Sequence, residues 1–570
     1  MCAESKPAIN PPLLQTEEEA ATISHVWNFL WLTPARCRLI LAALIGFGFV
    51  SHLIYLTDNC PIDLSGDEAH YWDWSRRLDI SYYSKGPLVA WLIRASCAVF
   101  GDVMWAVRLP ALILAAGTTL LTYWLARRMF DSDRVALGAV ALTHLVPMFV
   151  AGSLLMTIDP PFYFCWAAAT CLAVKAIFDR SAWAWPAVGA VIGIGFLAKY
   201  AALLWFVGLA IYLLLARRKF FRISGESESA DRSSSATGFF TALGVAMLFT
   251  IPVIFWNARN GWVSLGHVAK QTGATGGGFD PLHPLEVVGS QIGVVGPTFA
   301  VLMIAAVLWV IRSNRESRDP RAIFLLCIGL PFFTVVFLAS FFAKIQVNWP
   351  APTYFTLTIL TAGFISTRMS SSQTWRRWRG WVWATVVIGL LLTPLAHDMS
   401  RLYPWLSKLN AALGTSKKDP ITARKFDPTV KLRGWEELGL RVSIELQSLA
   451  PGGLVMAEDY QTASQLAFYV QGQPNTFAIG SYYQRPTERK RWSQFDLWPD
   501  RALDQPALIG RDAIYVGFGT QGKDLAHAFA SVERLQELKI VVRGVEVRSF
   551  RLWRCKGFKG MTRPAHGRKL

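Results

Sequence analysis

Residues 63–88 read DLSGDEAHYWDWSRRLDISYYSKGPL and lie between two long apolar stretches. Five acids and five Tyr or Trp rings crowd this segment, just after the first apolar run of membrane length. The surroundings set the class. Over 570 residues the chain is 53% hydrophobic and only 17% charged, and its mean hydropathy is positive, a profile that soluble domains of this size rarely show. These figures describe a polytopic α-helical membrane protein. Residues 1–38 are mixed, with Pro, Glu and Thr and no basic start before a short apolar core, so they predict a cytoplasmic amino-terminal segment and not a cleaved signal peptide.

A helix rises about 1.5 Å per residue and has about 30 Å of hydrocarbon to cross, so runs of roughly 17 to 25 apolar residues are the relevant signal. Eleven are present, near 39–57, 104–126, 135–152, 160–178, 183–198, 200–216, 237–256, 287–311, 322–342, 350–367 and 380–396. The nearly continuous stretch 183–216 is too long for one straight crossing. It predicts two spans that turn at Ala198-Lys199-Tyr200.

Basic residues decide orientation, because cytoplasmic loops carry the excess of Lys and Arg. One set of loops holds Arg127, Arg128 and Arg134, then Lys175 and Arg180, Arg217 to Arg222, Arg312 to Arg321, and Arg376 to Arg379. That set is expected inside. The amino terminus then lies in the cytoplasm, and the loop 58–103 and everything beyond the last span lie outside. A membrane domain thus occupies 39–396, followed by an extracytoplasmic domain at 397–570. Its GGLVMAEDY, DAIYVGFG and LKIVVRGVEVRSFRLWRC read as strands and its QTASQLAFYV as a helix, the pattern of a soluble α/β domain.

The net charge of +18 comes from short basic runs between apolar segments, which argues against nucleic acid as a partner. Eight cysteines are scattered with no metal-ligand spacing, although Cys60 and Cys97 are able to pair if both face an oxidising compartment. No internal repeat is visible.

On this map the chemistry converges on one membrane face. Asp67 and Glu68 fall in the first outer loop, Asp159 at the start of the fourth span, Lys199 at the outer turn, His267 and Lys270 in the next outer loop, and Lys344, Asn348 and Trp349 in the one after. Ionisable groups at membrane depth are costly and mark functional sites. Simpler readings stand beside this one. Asp58, Asp63, Asp73 and Asp79 suit solvated loop acids or caps. Tyr71, Trp72, Trp74, Tyr82 and Tyr83 suit an interfacial aromatic belt, and Asp159 suits a cap on the helix opened by Pro160 and Pro161. Asp67, Glu68 and Lys85 have no such packing role.

The stretch DEAHYWDWSRRLDISYYSKGPLVAWLIRASCAVFGDVMWAVRLPA resembles the first outer loop of the C-type (GT-C) membrane glycosyltransferases, which include bacterial aminoarabinose transferase and the protein mannosyltransferases of family 39. The acidic pair before Tyr71, Lys85 ahead of Pro87, and the Phe-Gly-Asp and Val-Arg-Leu-Pro runs carry the likeness. MTIDPPF, GFLAKYAAL, IFWNARNGWVSLGHVAKQ and VNWPAPTYFTL extend it over about residues 39–370. The resemblance implies a multi-pass protein of the bacterial inner membrane that moves a sugar from a polyprenyl-phosphate donor to an acceptor hydroxyl on a lipid, protein or polysaccharide, with inversion. It implies Asp67 as general base, with Glu68 and Asp159 beside it. Lys85, helped by Arg108 and Lys199, is expected to neutralise phosphate, while Tyr82, Tyr83, His267, Lys344, Asn348 and Trp349 line the substrate site. No metal is required in principle, although the acidic pair is able in principle to bind Mg or Mn. A transporter and a non-catalytic lipid-binding subunit remain alternatives.

Overall fold

The computed structural model describes residues 32–58, 60–217, 228–275, 278–313, 319–412, 427–482, 492–517 and 522–562. Its first helix, Pro34–Thr57, starts where Pro34 can occupy the first turn without losing a hydrogen bond, and the Thr33 hydroxyl accepts from the Arg36 amide at 3.3 Å. One flank of this helix stays open, as a lipid-facing surface requires, with Leu39, Phe47 and Ile54 exposed.

Each of the eleven apolar stretches meets helix, but helix length and composition do not confirm eleven crossings. Among the described residues six helices are long and apolar enough to span a membrane, or up to eight if each of two bent pairs counts once. Pro147 separates Asp133–Leu145 from Pro147–Leu154, which meet at 73°. Gly296, at φ 96°, and Pro297 turn His283–Val295 by 106° into Pro297–Ser313. Ala184–Ala198 has 15 residues, a length of about 22 Å, and is too short to cross alone. Lys199 ends it in extended backbone, as the turn expected at 198–200 requires. The helix Ala351–Met369 lies in the middle of the bundle, where Thr353, Thr356, Thr358 and Thr361 are all buried.

Beyond the bundle a six-stranded mixed sheet forms from β1 (Leu454–Ala457), β2 (Thr476–Ala478), β3 (Ala513–Gly517), β4 (Phe529–Arg534), β5 (Leu538–Val542) and β6 (Val545–Phe558). β1 runs parallel to both β2 and β3, whereas β6 is antiparallel to β3, β4 and β5. β1 and β3 are buried at every position, so they read as continuous apolar runs and not as alternating ones.

The first loop fastens this sheet domain to the bundle. Its helix Gly66–Ser75 packs against Tyr460–Tyr469, and the Gln465 amide donates to the Leu64 carbonyl at 2.6 Å. Trp72, Trp74 and Tyr82 are wholly buried in one apolar cluster with Leu466, Phe468 and Phe495. They form a core instead of the interfacial belt expected of them. Tyr82 stacks on Trp74 with ring centres 4.3 Å apart, and its hydroxyl donates to the Arg77 carbonyl at 3.0 Å, so it supports the loop and touches no open site.

The acids divide in the same way. Asp58 and Asp79 are exposed, as expected. Asp63 instead accepts from the Trp435 amide at 2.8 Å, and Asp73 is fully buried against the equally buried Arg501 at 3.1 Å and against Arg77 at 3.1 Å. Burial lowers the Arg501 pKa to about 10, and the charge of Asp73 opposes the shift. Removing one partner from a buried pair costs about 3–5 kcal/mol. Asp73→Asn is therefore expected to destabilise the purified protein by that order, read as the midpoint of thermal or denaturant unfolding. An unchanged midpoint would mean that Arg501 finds another counter-charge.

Candidate active site

Asp67 occupies the first turn of the loop helix because Ser65 and Glu68 close a capping box: the Ser65 hydroxyl accepts from the Glu68 amide at 3.1 Å, and a Glu68 carboxylate oxygen accepts from the Ser65 amide at 2.8 Å. Gly66 lets the helix start approach the sheet domain, since a Cβ there would lie 2.9 Å from that of Gln461. Gln461 then donates its side-chain amide to Asp67 Oδ1 at 3.0 Å. Asp67 is exposed to solvent. The protein around it raises its pKa above the usual carboxylate range, while Gln461 and the charge of Lys85 pull it down.

Glu68, adjacent in sequence, has a different task. It is wholly buried, its two oxygens lie 3.0 Å from Nε and Nη2 of Arg108, and it accepts from the Met156 amide at 2.9 Å. The remaining Arg108 donors reach the carbonyls of Ile62 at 3.2 Å and Asp63 at 2.7 Å. Every face of this guanidinium is occupied, which removes Arg108 from the phosphate ligands and leaves Glu68 as a positioning residue. One of the two carboxylates of the acidic pair is thus committed to Arg108. Among the described residues no group of three or more His, Cys, Asp or Glu comes together.

Three residues far apart in sequence form the second half of the site. Asp159, buried at the start of Asp159–Phe178, takes Lys199 Nζ on Oδ1 at 2.9 Å and the Asn348 side-chain amide on Oδ2. The Asn348 carbonyl accepts from the Tyr163 hydroxyl at 3.0 Å, which fixes the loop that carries Asn348. Trp349 packs beside it on the main apolar cluster of the bundle.

Lys85 completes the group. Gly86, next to it, has backbone touching the Leu197 carbonyl, two residues before Lys199, so the Lys85 strap rests directly on the Lys199 turn. Burial lowers the Lys85 pKa to about 8; nearby Lys199 pushes the same way, while Asp67 and Asp159 oppose. Its ammonium has no carboxylate within ion-pair range among the described residues and only a 3.4 Å contact to the Gln271 side-chain oxygen. It is a cation with donors to offer.

Tyr83 and His267 flank this cation, ring edge to ring face, with centres 5.3 Å apart. Burial, then Lys85 and Lys270, lower the His267 pKa to about 4, so the ring is neutral at ordinary pH. Lys344 is not part of the group: it is exposed and pairs loosely with Glu286 at 3.6 Å. Cys60 and Cys97 are free thiols, the first donating to the Ile62 carbonyl at 3.4 Å and the second buried in Leu88–Phe100.

Gln461, Gln271 and Tyr71 were not legible as site residues. Burial and then the charge of Asp67, followed by Tyr460 and Asp159, raise the Tyr71 pKa, so the ring feels both carboxylates. Neutral amides carry no charge signal, and only the Asp459 cap before Tyr460–Tyr469 marked the helix start that presents Gln461.

The approach at Gly86 gives a direct test. A methyl group there overlaps the Leu197 backbone, so Gly86→Ala should force the strap off the Lys199 turn and cost about 1–3 kcal/mol, the usual range for overpacking. Thermal unfolding of the purified variant measures this, and wild-type stability would show that the strap is not held against the turn.

Comparisons with known proteins bear on the family and the fold. Residues 84–256 match the family model described as dolichyl-phosphate-mannose-protein mannosyltransferase. The lipid A galacturonosyltransferase RgtD of Rhizobium johnstonii is 29% identical over 56% of this chain and 64% of its own length. The undecaprenyl phosphate-alpha-4-amino-4-deoxy-L-arabinose arabinosyl transferase of Pseudomonas paraeruginosa is 29% identical over 34% of this chain and 36% of its own length. The chain thus matches less than two thirds of the length of either relative. Among solved structures, ArnT from Cupriavidus metallidurans bound to undecaprenyl phosphate superposes with a TM-score of 0.61 at 15% identity, covering 90% of this chain and 97% of that one. In fold the chain is therefore like ArnT, and in sequence it resembles the C-type membrane glycosyltransferases, as the loop at residues 63–88 indicates.

Proposed function

We propose that this protein transfers a sugar from a polyprenyl-phosphate donor to a hydroxyl of a membrane-held acceptor, on the membrane face that carries Asp67. The observation that carries the reading is the meeting of Asp67, Lys85, Asp159 and Lys199 from three separate loops at one edge of an apolar bundle. The names of the relatives support the donor class, and the galacturonosyl relative favours a glycolipid of the lipid A kind as acceptor. The basic loops favour an inner-membrane protein with this face outward.

In this reading the acceptor oxygen attacks the anomeric carbon as the phosphate oxygen leaves, one bond forming and one breaking, so configuration inverts. Asp67 takes the hydroxyl proton. Its raised pKa makes it a better base than an ordinary surface carboxylate, and Gln461 fixes the direction in which it points. Lys85 meets the phosphate with a charge no carboxylate neutralises. Lys199 uses one of its three donors on Asp159 and keeps the others for phosphate oxygens, so Asp159 acts by aiming Lys199.

Two measurements test the assignments. Asp67→Asn keeps the shape and the Gln461 contact, yet cannot accept the proton. Turnover in membranes with equal amounts of folded protein should fall about 10²-fold or more while donor binding survives. Normal turnover would transfer the base role to Asp159. For Lys85, the charged form predominates below about pH 8 and is lost above it. Donor kcat/KM should accordingly decline as pH rises through about 8, and Lys85→Arg should abolish that decline because guanidinium stays charged. A wild-type profile flat through this range removes Lys85 from phosphate binding. Mass spectra of lipids from cells with and without the protein identify the sugar and the acceptor.

A further inference from the structure

At the opposite end of the helices from Asp67, a cavity of about 860 Å³ opens between Pro34–Thr57, Met104–Phe130 and the start of Pro320–Ala339. Four arginines line it, Arg38, Arg127, Arg128 and Arg321, against a single acid, Asp131. Two of the four are already committed: Arg127 pairs with Asp133 at 3.1 Å and Arg128 with Asp179. The other two are not. Arg38 donates from Nε to the Pro34 carbonyl at 3.2 Å, and Arg321 from Nη1 to the Met129 carbonyl at 3.4 Å, and neither has a carboxylate within ion-pair range among the described residues. Most of their donors face the cavity or water.

The rest of the wall has another character. Leu41 and Leu121 continue the cavity toward the apolar bundle, and the Trp124 ring stands at its side with Lys175 Nζ 5.7 Å from the ring centre. A cationic rim joined to a leucine wall at the ends of membrane helices matches an amphiphile with an anionic head, and basic pockets between helices at this level bind lipid headgroups. A free anion would use the rim and leave the leucines unoccupied.

We propose that this cavity is a binding site for an anionic glycerophospholipid, its phosphate held by Arg38 and Arg321 and its chains lying along Leu41 and Leu121. The site is separate from the Asp67 cluster and does not depend on the reading of that cluster.

The test uses the full-length protein in neutral detergent, offered phosphatidylglycerol or phosphatidylcholine of the same acyl chains, with bound lipid counted by native mass spectrometry. Phosphatidylglycerol should be retained about tenfold better, the equivalent of one good charged contact. Arg38→Gln with Arg321→Gln should erase the preference, the two Lys replacements should keep most of it, and Arg379→Gln, an exposed charge outside the cavity, should leave it intact. Equal retention of the two lipids by the wild-type protein overturns the proposal whatever the variants do. An undiminished preference in the double Gln variant, or an equal loss in Arg379→Gln, overturns the assignment to this cavity. Displacement of the lipid by glycerol 3-phosphate at matched concentration would show that the site takes a free anion and no lipid.

Discussion

The wholly buried pair of Glu68 and Arg108 is the contact on which the site depends. A lone charge at that depth would be prohibitive, and an ion pair there is tolerable only when the remaining donors and acceptors are also satisfied. They are: the carboxylate takes the Ser65 and Met156 amides, and the guanidinium takes the Ile62 and Asp63 carbonyls. One pair thereby fixes the segment after the first helix, the start of the loop helix, the chain before Asp159 and the head of Met104–Phe130. Asp67, one residue earlier on the same helical turn, inherits its position from this lock.

The charges of this face then separate into two kinds. Glu68, Arg108, Asp73 and Arg501 are buried in ion pairs, and they hold elements together. Asp67 and Lys85 stay near solvent with only amide partners, and burial shifts both toward neutrality. Asp159 and Lys199 stand between these kinds, paired yet with ammonium donors to spare. A locked pair stabilises; an unlocked cation and carboxylate can exchange protons and meet a ligand. Adjacent residues such as Asp67 and Glu68 fall on opposite sides of this division because consecutive helical positions point about 100° apart.

Much of this was legible in the sequence, and the failures have physical causes. Asp67, Lys85, Asp159, Lys199 and Asn348 could be gathered because hydropathy and basic loops place them all at one membrane face, where a charge needs a reason. Strands such as LVMA and AIYVG showed as short continuous apolar runs, and the helix YQTASQLAFY by its period. The eleven crossings are not confirmed, because apolar length does not register the bends at Pro147 and Pro297 or the shortness of Ala184–Ala198. The aromatic rings were taken for a belt because the same residues suit an interface and a core, and only the sheet domain packed against them decides. Arg108 resembled a phosphate ligand until its carbonyl partners, more than 40 positions away, were in view.

The sheet domain is the part whose role the sequence concealed most, and it forms one wall of the site. Gln461, 394 residues from Asp67 in the chain, orients the carboxylate, and the Gln494 side chain accepts from the Tyr83 amide at 2.7 Å. Arg501 neutralises Asp73 two turns along the same loop helix. These contacts come from three segments of the domain, so small rotations of the domain on the bundle would move Asp67, Tyr83 and the loop helix together. A membrane domain alone would retain Lys85, Asp159 and Lys199 but would leave Asp73 without its buried counter-charge and Asp67 without a fixed direction. The cationic half of the site therefore belongs to the bundle, while the geometry of the carboxylate half is set jointly by the bundle and the domain that closes over it.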